Sequence, residues 1–329
     1  MKVICIGSTS KDIFFPTNDG QIVDTPEDLA SQKKFIFELG AKYHISNRFE
    51  SLGGCAANQA CGLARLGIST SCYTSIGDDV IGKWITEELL KEKVEQELVV
   101  IEPDCLSGLS AIVVDEKSAD RIIFSNQEAN EKLEIIPEKI KDADFISVTD
   151  LSGDWKKDLD EIMKVGIEND IRIAFNPREK NIKDDSQKIS EIAKNLEILF
   201  LNKDEAIEIL LSLKIETSGD EKELIGKIKN FGSKVVVITD GMNGAWGFDG
   251  ENIFHVEALK ENAVDSTGAG DAFSSGFMSA YLKEKSLEEC LKWGIANGGN
   301  VVNFYGGVSG LLREEEMLEK IKKIKTEKI

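Results

Sequence analysis

The chain of 329 residues carries 59 acidic against 40 basic residues, a formal charge of −19, with 41% hydrophobic and 7% aromatic residues. That balance opposes non-specific attraction to nucleic acid or an anionic membrane, so any phosphate must be held by local geometry rather than by the field of the whole protein. The length suits two units or one large α/β domain, and six cysteines without a CxxC pair (Cys5, Cys55, Cys61, Cys72, Cys105, Cys290) read as buried reduced thiols rather than disulfides or metal ligands.

In chain order, the opening MKVICIGS is too short and too soon interrupted for a signal peptide, and no apolar run approaches the ~18 residues of a membrane span. A cytoplasmic protein is expected. Short β-branched runs then alternate with helical patterns: VICI at 3–6, FISV at 145–148, IRIAF at 171–175, LEILF at 196–200 and KVVVIT at 234–239, separated by segments such as DWKKDLDEIMKVGIEN and EKELIGKIKNF. Strand, helix, strand in this order implies right-handed crossovers, hence a doubly wound α/β domain over 1–329 with a mainly parallel sheet covered on both faces.

Two stretches break the alternation. Residues 12–50 and 105–127 are expected to form a small inserted β lid; the second reads as a hairpin, IVV and RIIF about a polar turn, with too little apolar surface to stand alone. GDDVIGKW at 77–84 mimics part of a phosphate loop. Trp84 stands where magnesium would need a hydroxyl, and Asp78 and Asp79 would repel phosphate, so the acidic pair reads instead as the start of a helix. Further on, Ser286 and Glu289 form an S-x-x-E capping box, and EEEMLEKIKKIKTEKI reads as an amphipathic surface helix with a basic end. His44 and His255 have no partners that would make either one catalytic.

VDSTGAGDAF, Val264 to Phe273, carries the most chemistry. Gly268, Ala269 and Gly270 open a helix marked by Phe273, Phe277 and Tyr281 at four-residue spacing. Successive N–H groups of Gly268, Ala269, Gly270 and Asp271 at a helix start form an anion nest that needs no basic side chain. Asp271 beside it could take a proton from a substrate hydroxyl while the amides stabilise phosphoryl charge, or it could simply cap the helix.

DSTGAGDAF resembles the C-terminal signature of the ribokinase-like (PfkB) carbohydrate kinases, and further pieces follow in that family's order. SLGGCAANQACGLARLG at 51–67 resembles its glycine-glycine signature, with Gly53, Gly54 and Asn58; EAN at 128–130 resembles its turn after the lid, and NKDE at 202–205 its N-x-x-E motif. The resemblance implies a phosphoryl transfer from ATP to a sugar hydroxyl, with Asp271 as base. It implies Asp12, Gly53, Gly54, Asn58 and Arg178 at the acceptor, and Asn202 and Glu205 on magnesium through its waters. Thr239, Gly241 and Gly244 of TDGMNGAWGF, with Asn297, would border the nucleotide; Asp265 and Thr267, with Ser309 a weaker candidate, would help bind a monovalent cation such as K⁺. One departure is IAFNPR, where Ala174 stands at a position that is acidic in many members, which leaves the acceptor open. A nucleoside kinase of the same fold, with Phe14, Phe15, Phe35 or Phe37 lining a slot for the base, and a non-catalytic sugar sensor are the rival readings. Pairing of two chains through an exposed lid edge is a further expectation.

Overall fold

The computed structural model describes residues 1–25, 33–260 and 263–328; residues 26–32, part of the expected lid segment, lie outside the described residues. In chain order the strands are β1 (Lys2–Ile6), β2 (Ser10–Thr17), β3 (Gln21–Asp24), β4 (Lys33–Ile36), β5 (Phe49–Gly53), β6 (Ser69–Gly77), β7 (Val99–Glu102), β8 (Leu109–Asp115), β9 (Arg121–Asn126), β10 (Phe145–Val148), β11 (Arg172–Phe175), β12 (Ile198–Asn202), β13 (Val235–Thr239), β14 (Ala245–Phe248), β15 (Ile253–Val256) and β16 (Thr326–Lys328).

The main sheet runs β16-β15-β14-β13-β12-β11-β10-β1-β6-β7. From β7 to β13 its pairs are parallel, and β14 to β16 continue it antiparallel. β10 is buried at every residue, as a strand covered on both faces must be. Alternation along β1 splits the interior in two. Val3 and Cys5 join Phe273 and Phe277 on one face, whereas Ile4 and Ile6 join Leu159 and Ile162 on the other. Because β1 lies between β6 and β10, the chain leaves it first to one side and later to the other. The carboxyl ends around β1 are therefore the switch point at which open α/β sheets bind ligands.

A second sheet, ordered β5-β2-β8-β9, stands apart, and β3 pairs with β4 as a separate ribbon. β8 and β9 form an antiparallel hairpin. Among the described residues the sheet's own buried cluster is Phe14, Ile112 and Val114, with Tyr305 packed on it, while Leu52 of β5 joins the main core, so the sheet depends on the main domain for its stability. Asn130 ties the junction between sheets: its Oδ1 accepts from the Thr9 N–H at 3.0 Å and its Nδ2 donates to the Thr9 carbonyl at 2.9 Å.

Asp79 does begin a helix, accepting from the Gly82 N–H at 2.7 Å, and it also accepts from the Ser107 N–H and hydroxyl, which pins the approach to β8. The C-terminal expectation needs correction. The helix is only Glu314–Lys320; after a 3-10 turn the chain extends at the buried Ile324, and Thr326–Lys328 satisfies the open edge of β15 as β16. All six cysteines are free thiols, four of them buried, and no helix among the described residues is long and apolar enough to cross a membrane.

Candidate active site

The site begins where the chain turns into the helix Ala269–Leu282. Gly268 has φ 74°, and a Cβ there would sit 2.4 Å from the Gly307 Cα, so both the conformation and the space require glycine. No side chain caps this helix. Ala269 is a correction to the expected nest, because its N–H closes a turn onto the Ser266 carbonyl at 3.3 Å. The donors left for an anion are those of Gly268, Gly270 and Asp271, and a Cβ on Gly270 would meet nothing within 4 Å.

Asp271 lies in the first helical turn, 4% exposed, and does not cap its own helix. Its Oδ2 accepts from Asn58 Nδ2 and its Oδ1 from Arg178 Nη2, each at 2.9 Å. Asn58 and Arg178, both expected at the acceptor, thus converge on the carboxylate from opposite sides. Asn58 Oδ1 remains buried without a partner, an acceptor open to a ligand hydroxyl. Burial pushes the Asp271 carboxyl above the usual carboxylate range, Arg178 and Asn58 oppose this, and Asp150 adds to it.

Asn58 comes from the helix Cys55–Arg65, entered through two glycines. Gly54 has φ 86°, and a Cβ there would lie 2.5 Å from the Ser8 carbonyl oxygen. A Cβ on Gly53 would lie 2.1 Å from Asp12 Oδ2. Asp12 sits on β2; it is 4% exposed and accepts from Ser10 Oγ at 2.7 Å. Burial raises its pKa, hydrogen bonds from Ser10 and Ser110 oppose the rise, and Asp265 and Asp271 reinforce it. Gly53→Ala should turn the Asp12 carboxylate away and, with Asp12 in its expected role at the acceptor, raise the acceptor KM about tenfold or more, the value of one charge-assisted hydrogen bond. Nucleotide affinity should hold; calorimetry with each ligand separately checks both, and equal weakening would mean a general distortion.

A cavity of about 50 Å³ joins the nest to the sheet edge, lined among others by Asn176, Arg178, Asn202, Glu205, Thr239 and Gly270. Asn202 and Glu205 form a reciprocal capping box, Asn202 Oδ1 accepting from the Glu205 N–H and Glu205 Oε2 from the Asn202 N–H, both at 2.8 Å. This local role coexists with their position on the cavity, where both residues bring oxygen atoms of the kind that hard cations take as ligands. Burial raises the Glu205 pKa, against the Asn202 N–H and Arg178. A wider hollow of about 430 Å³ lies at Asp170, Arg172, Lys194 and Glu197 on the opposite edge of the sheet, away from every signature residue.

The other expected residues divide. Gly241 faces open space, but a Cβ on Gly244 would lie 2.0 Å from the Val256 carbonyl oxygen, so that glycine serves the β14–β15 pairing. Asn297 is a second correction. It is fully buried, its Nδ2 bonding the Ala272 carbonyl and Ser275 and its Oδ1 the Leu312 N–H, so it ties helices together and reaches no ligand surface. Asp265 Oδ1 accepts from the N–H and hydroxyl of Thr267, and its Oδ2 from the Gly306 N–H, holding the loop before the nest; Ser309 is exposed. Sequence reasoning missed Asp150, which receives the Ser8 N–H at 3.1 Å and the Ser8 hydroxyl at 2.5 Å, and Cys55, whose thiol contacts Arg178 Nη2. An acidic residue just beyond the buried FISV strand was the available signal for Asp150.

A family profile described as pfkB family carbohydrate kinase matches residues 29–312. The chain belongs to the PfkB family. An uncharacterized sugar kinase of Archaeoglobus fulgidus is 31% identical over 257 residues, 77% of this chain and 98% of its own. A cytidine kinase of Thermococcus kodakarensis is 30% identical over 259 residues, 77% and 88% of the two chains. The structure of a putative ribokinase II from E. coli, in complex with ATP and Mg²⁺, superposes with a TM-score of 0.78 at 18% identity, covering 98% of this chain and 99% of that one, a likeness of fold. As a PfkB member, the protein is an ATP-using phosphotransferase with an alcohol acceptor, a kinase of sugars or nucleosides.

Proposed function

We propose that the protein moves the γ-phosphoryl group of ATP to a hydroxyl of a small sugar in a magnesium-dependent reaction, with Asp271 as the base. The observation that supports this most is the buried Asp271 carboxylate, oriented by Asn58 and Arg178, directly beside an uncapped helix N-terminus. Asp271 receives the proton of the attacking hydroxyl, and the N–H groups of Gly268, Gly270 and Asp271 meet the charge that spreads over the phosphoryl oxygens. Asp12 and Asn58 Oδ1 accept hydrogen bonds from the remaining hydroxyls, as a polyol requires. The second sheet acts as a lid that excludes water, without which hydrolysis would compete with transfer. Asp265 and Thr267 contribute to a monovalent-cation site, the exposed Ile123 and Phe124 of β9 offer an edge on which two copies pair, and the protein works in the cytoplasm.

Asn202 and Glu205 would hold magnesium through its waters, and the ion would supply positive charge at the phosphate oxygens. Glu205→Gln keeps the capping geometry but removes the charge, so the magnesium concentration for half-maximal rate should rise several-fold. An unchanged magnesium titration would remove Glu205 from the metal site.

The similarity to a cytidine kinase supports a nucleoside as the second reading. Of the aromatic residues expected to line a base slot, Phe14 is buried under Tyr305, and Phe35 and Phe37 pack together with Tyr43. Phe15 of β2 is partly buried, and Phe49 stacked on Tyr305 at 4.5 Å adds a further aromatic surface. A coupled ADP-release screen across sugars, sugar phosphates and nucleosides separates the readings: a sugar should give the highest kcat/KM, and preference for a nucleoside would replace the first reading by the second.

A further inference from the structure

One cation of the second sheet returns to the catalytic loop. Arg121 opens β9 opposite Val114 of β8, which pairs with Pro16 of β2. By strand alternation its side chain shares the face that carries Asp12 and Phe14. Its Nη1 donates to the hydroxyl of Ser266, 145 residues further along the chain. Ser266 lies between Asp265, which holds the loop through Thr267 and Gly306, and Gly268, which turns it into the nest. The contact therefore joins the tip of the hairpin to the segment that sets the anion-binding amides.

The same guanidinium is incompletely satisfied. Arg121 Nε is buried with no hydrogen-bond partner, a cost that an acceptor oxygen brought in by a ligand would relieve. Asp120, which precedes it, lies 4.0 Å from Lys33. Arginine presents several donors in a rigid fork, so one arm can hold Ser266 while another meets a ligand oxygen; lysine has no equivalent geometry.

We propose that Arg121 is a positioning residue that fastens the second sheet over the anion nest through Ser266 and completes its hydrogen bonds on an oxygen of the bound ligand. The arrangement rests on reading the nest as the phosphoryl site. Closure of the sheet and readiness of the nest would then be one event, which keeps ATP from reacting with water before the acceptor is enclosed.

The test uses the full chain as wild type, Arg121→Gln, Arg121→Lys, Ser266→Ala and the Arg121→Gln/Ser266→Ala pair. Amide hydrogen exchange is followed at 121–126, with and without a non-hydrolysable ATP analogue and magnesium. Wild type should gain protection there when the analogue binds. Arg121→Gln and Ser266→Ala should each exchange about tenfold faster in the free protein, the scale of one charge-assisted hydrogen bond, and the pair no faster than the worse single variant. Arg121→Lys should keep part of the free-state protection but gain less from the analogue. In turnover assays Arg121→Gln should raise ADP release without acceptor relative to release with it, which a purely structural loss would lower in both. Wild-type exchange in both single variants, or additive effects in the pair, would overturn the latch. Absence of any kinase activity in wild type would instead sink the phosphoryl-transfer reading, and the exchange data in the free protein would still decide whether Arg121 and Ser266 act together.

Discussion

Asp271→Asn should lower kcat by roughly 10² to 10⁴, the range for loss of a general base, with the melting temperature and ATP affinity little changed. The structure explains why the variant should fold. Asp271 Oδ1 faces Arg178 and Oδ2 faces Asn58. An amide can keep its oxygen toward Arg178 and turn its NH₂ toward Asn58, whose own amide can flip because its Oδ1 has no other partner. Size, packing and both hydrogen bonds survive; the proton acceptor is lost, and Asn58 then presents its NH₂ rather than its Oδ1 to a ligand hydroxyl, which can still accept from it. A stable variant with near-native kcat would show that Asp271 positions its neighbours without taking the proton.

Arg178→Gln should be the second most damaging change, a fall of roughly 10- to 150-fold in kcat/KM at neutral pH, as for loss of one hydrogen bond to a charged group. Its signature is a displaced pH profile. Asp271 faces Arg178, Asn58 and Cys55, with Asp150 and Glu205 near enough to interact. Arg178 is the cation of that set and holds the Asp271 pKa down against burial. Without it the pKa rises, the ionised base is lost at a higher pH as acid is added, and the acidic limb of kcat/KM moves upward. Activity should recover in part as the pH is raised. A uniform loss at all pH values would mean that Arg178 serves the phosphoryl group alone.

The sequence-level reading reached the features that local chemistry decides. Gly268, Gly270 and Asp271 are legible because glycines before a helix with an apolar face state both a turn and exposed amides. Gly53 and Gly54 are legible in the same way, although what they make room for, the Asp12 carboxylate and the Ser8 carbonyl, is not. Partners across long separations were not legible: Arg178 was expected at the acceptor, but that it meets Asp271 from 93 residues away follows from the fold and not from the sequence around it. Asn297 went wrong for a related reason. A polar residue in a helix rich in small side chains reads as a ligand contact, until the neighbouring helix takes both of its N–H donors and the Leu312 N–H meets its oxygen. The short strand β16 was invisible because KTEKI has no strand pattern of its own, and the open edge of β15 supplies the order.

The most direct test of phosphoryl transfer to a hydroxyl is to analyse a reaction of the purified protein, ATP, magnesium and the best acceptor by phosphorus NMR and mass spectrometry. ADP and a phosphate monoester of the acceptor should appear in equal amounts, and both should be nearly absent with Asp271→Asn. ADP accompanied by inorganic phosphate with an unmodified acceptor, or equal ester formation by the Asp271→Asn variant, would contradict the account.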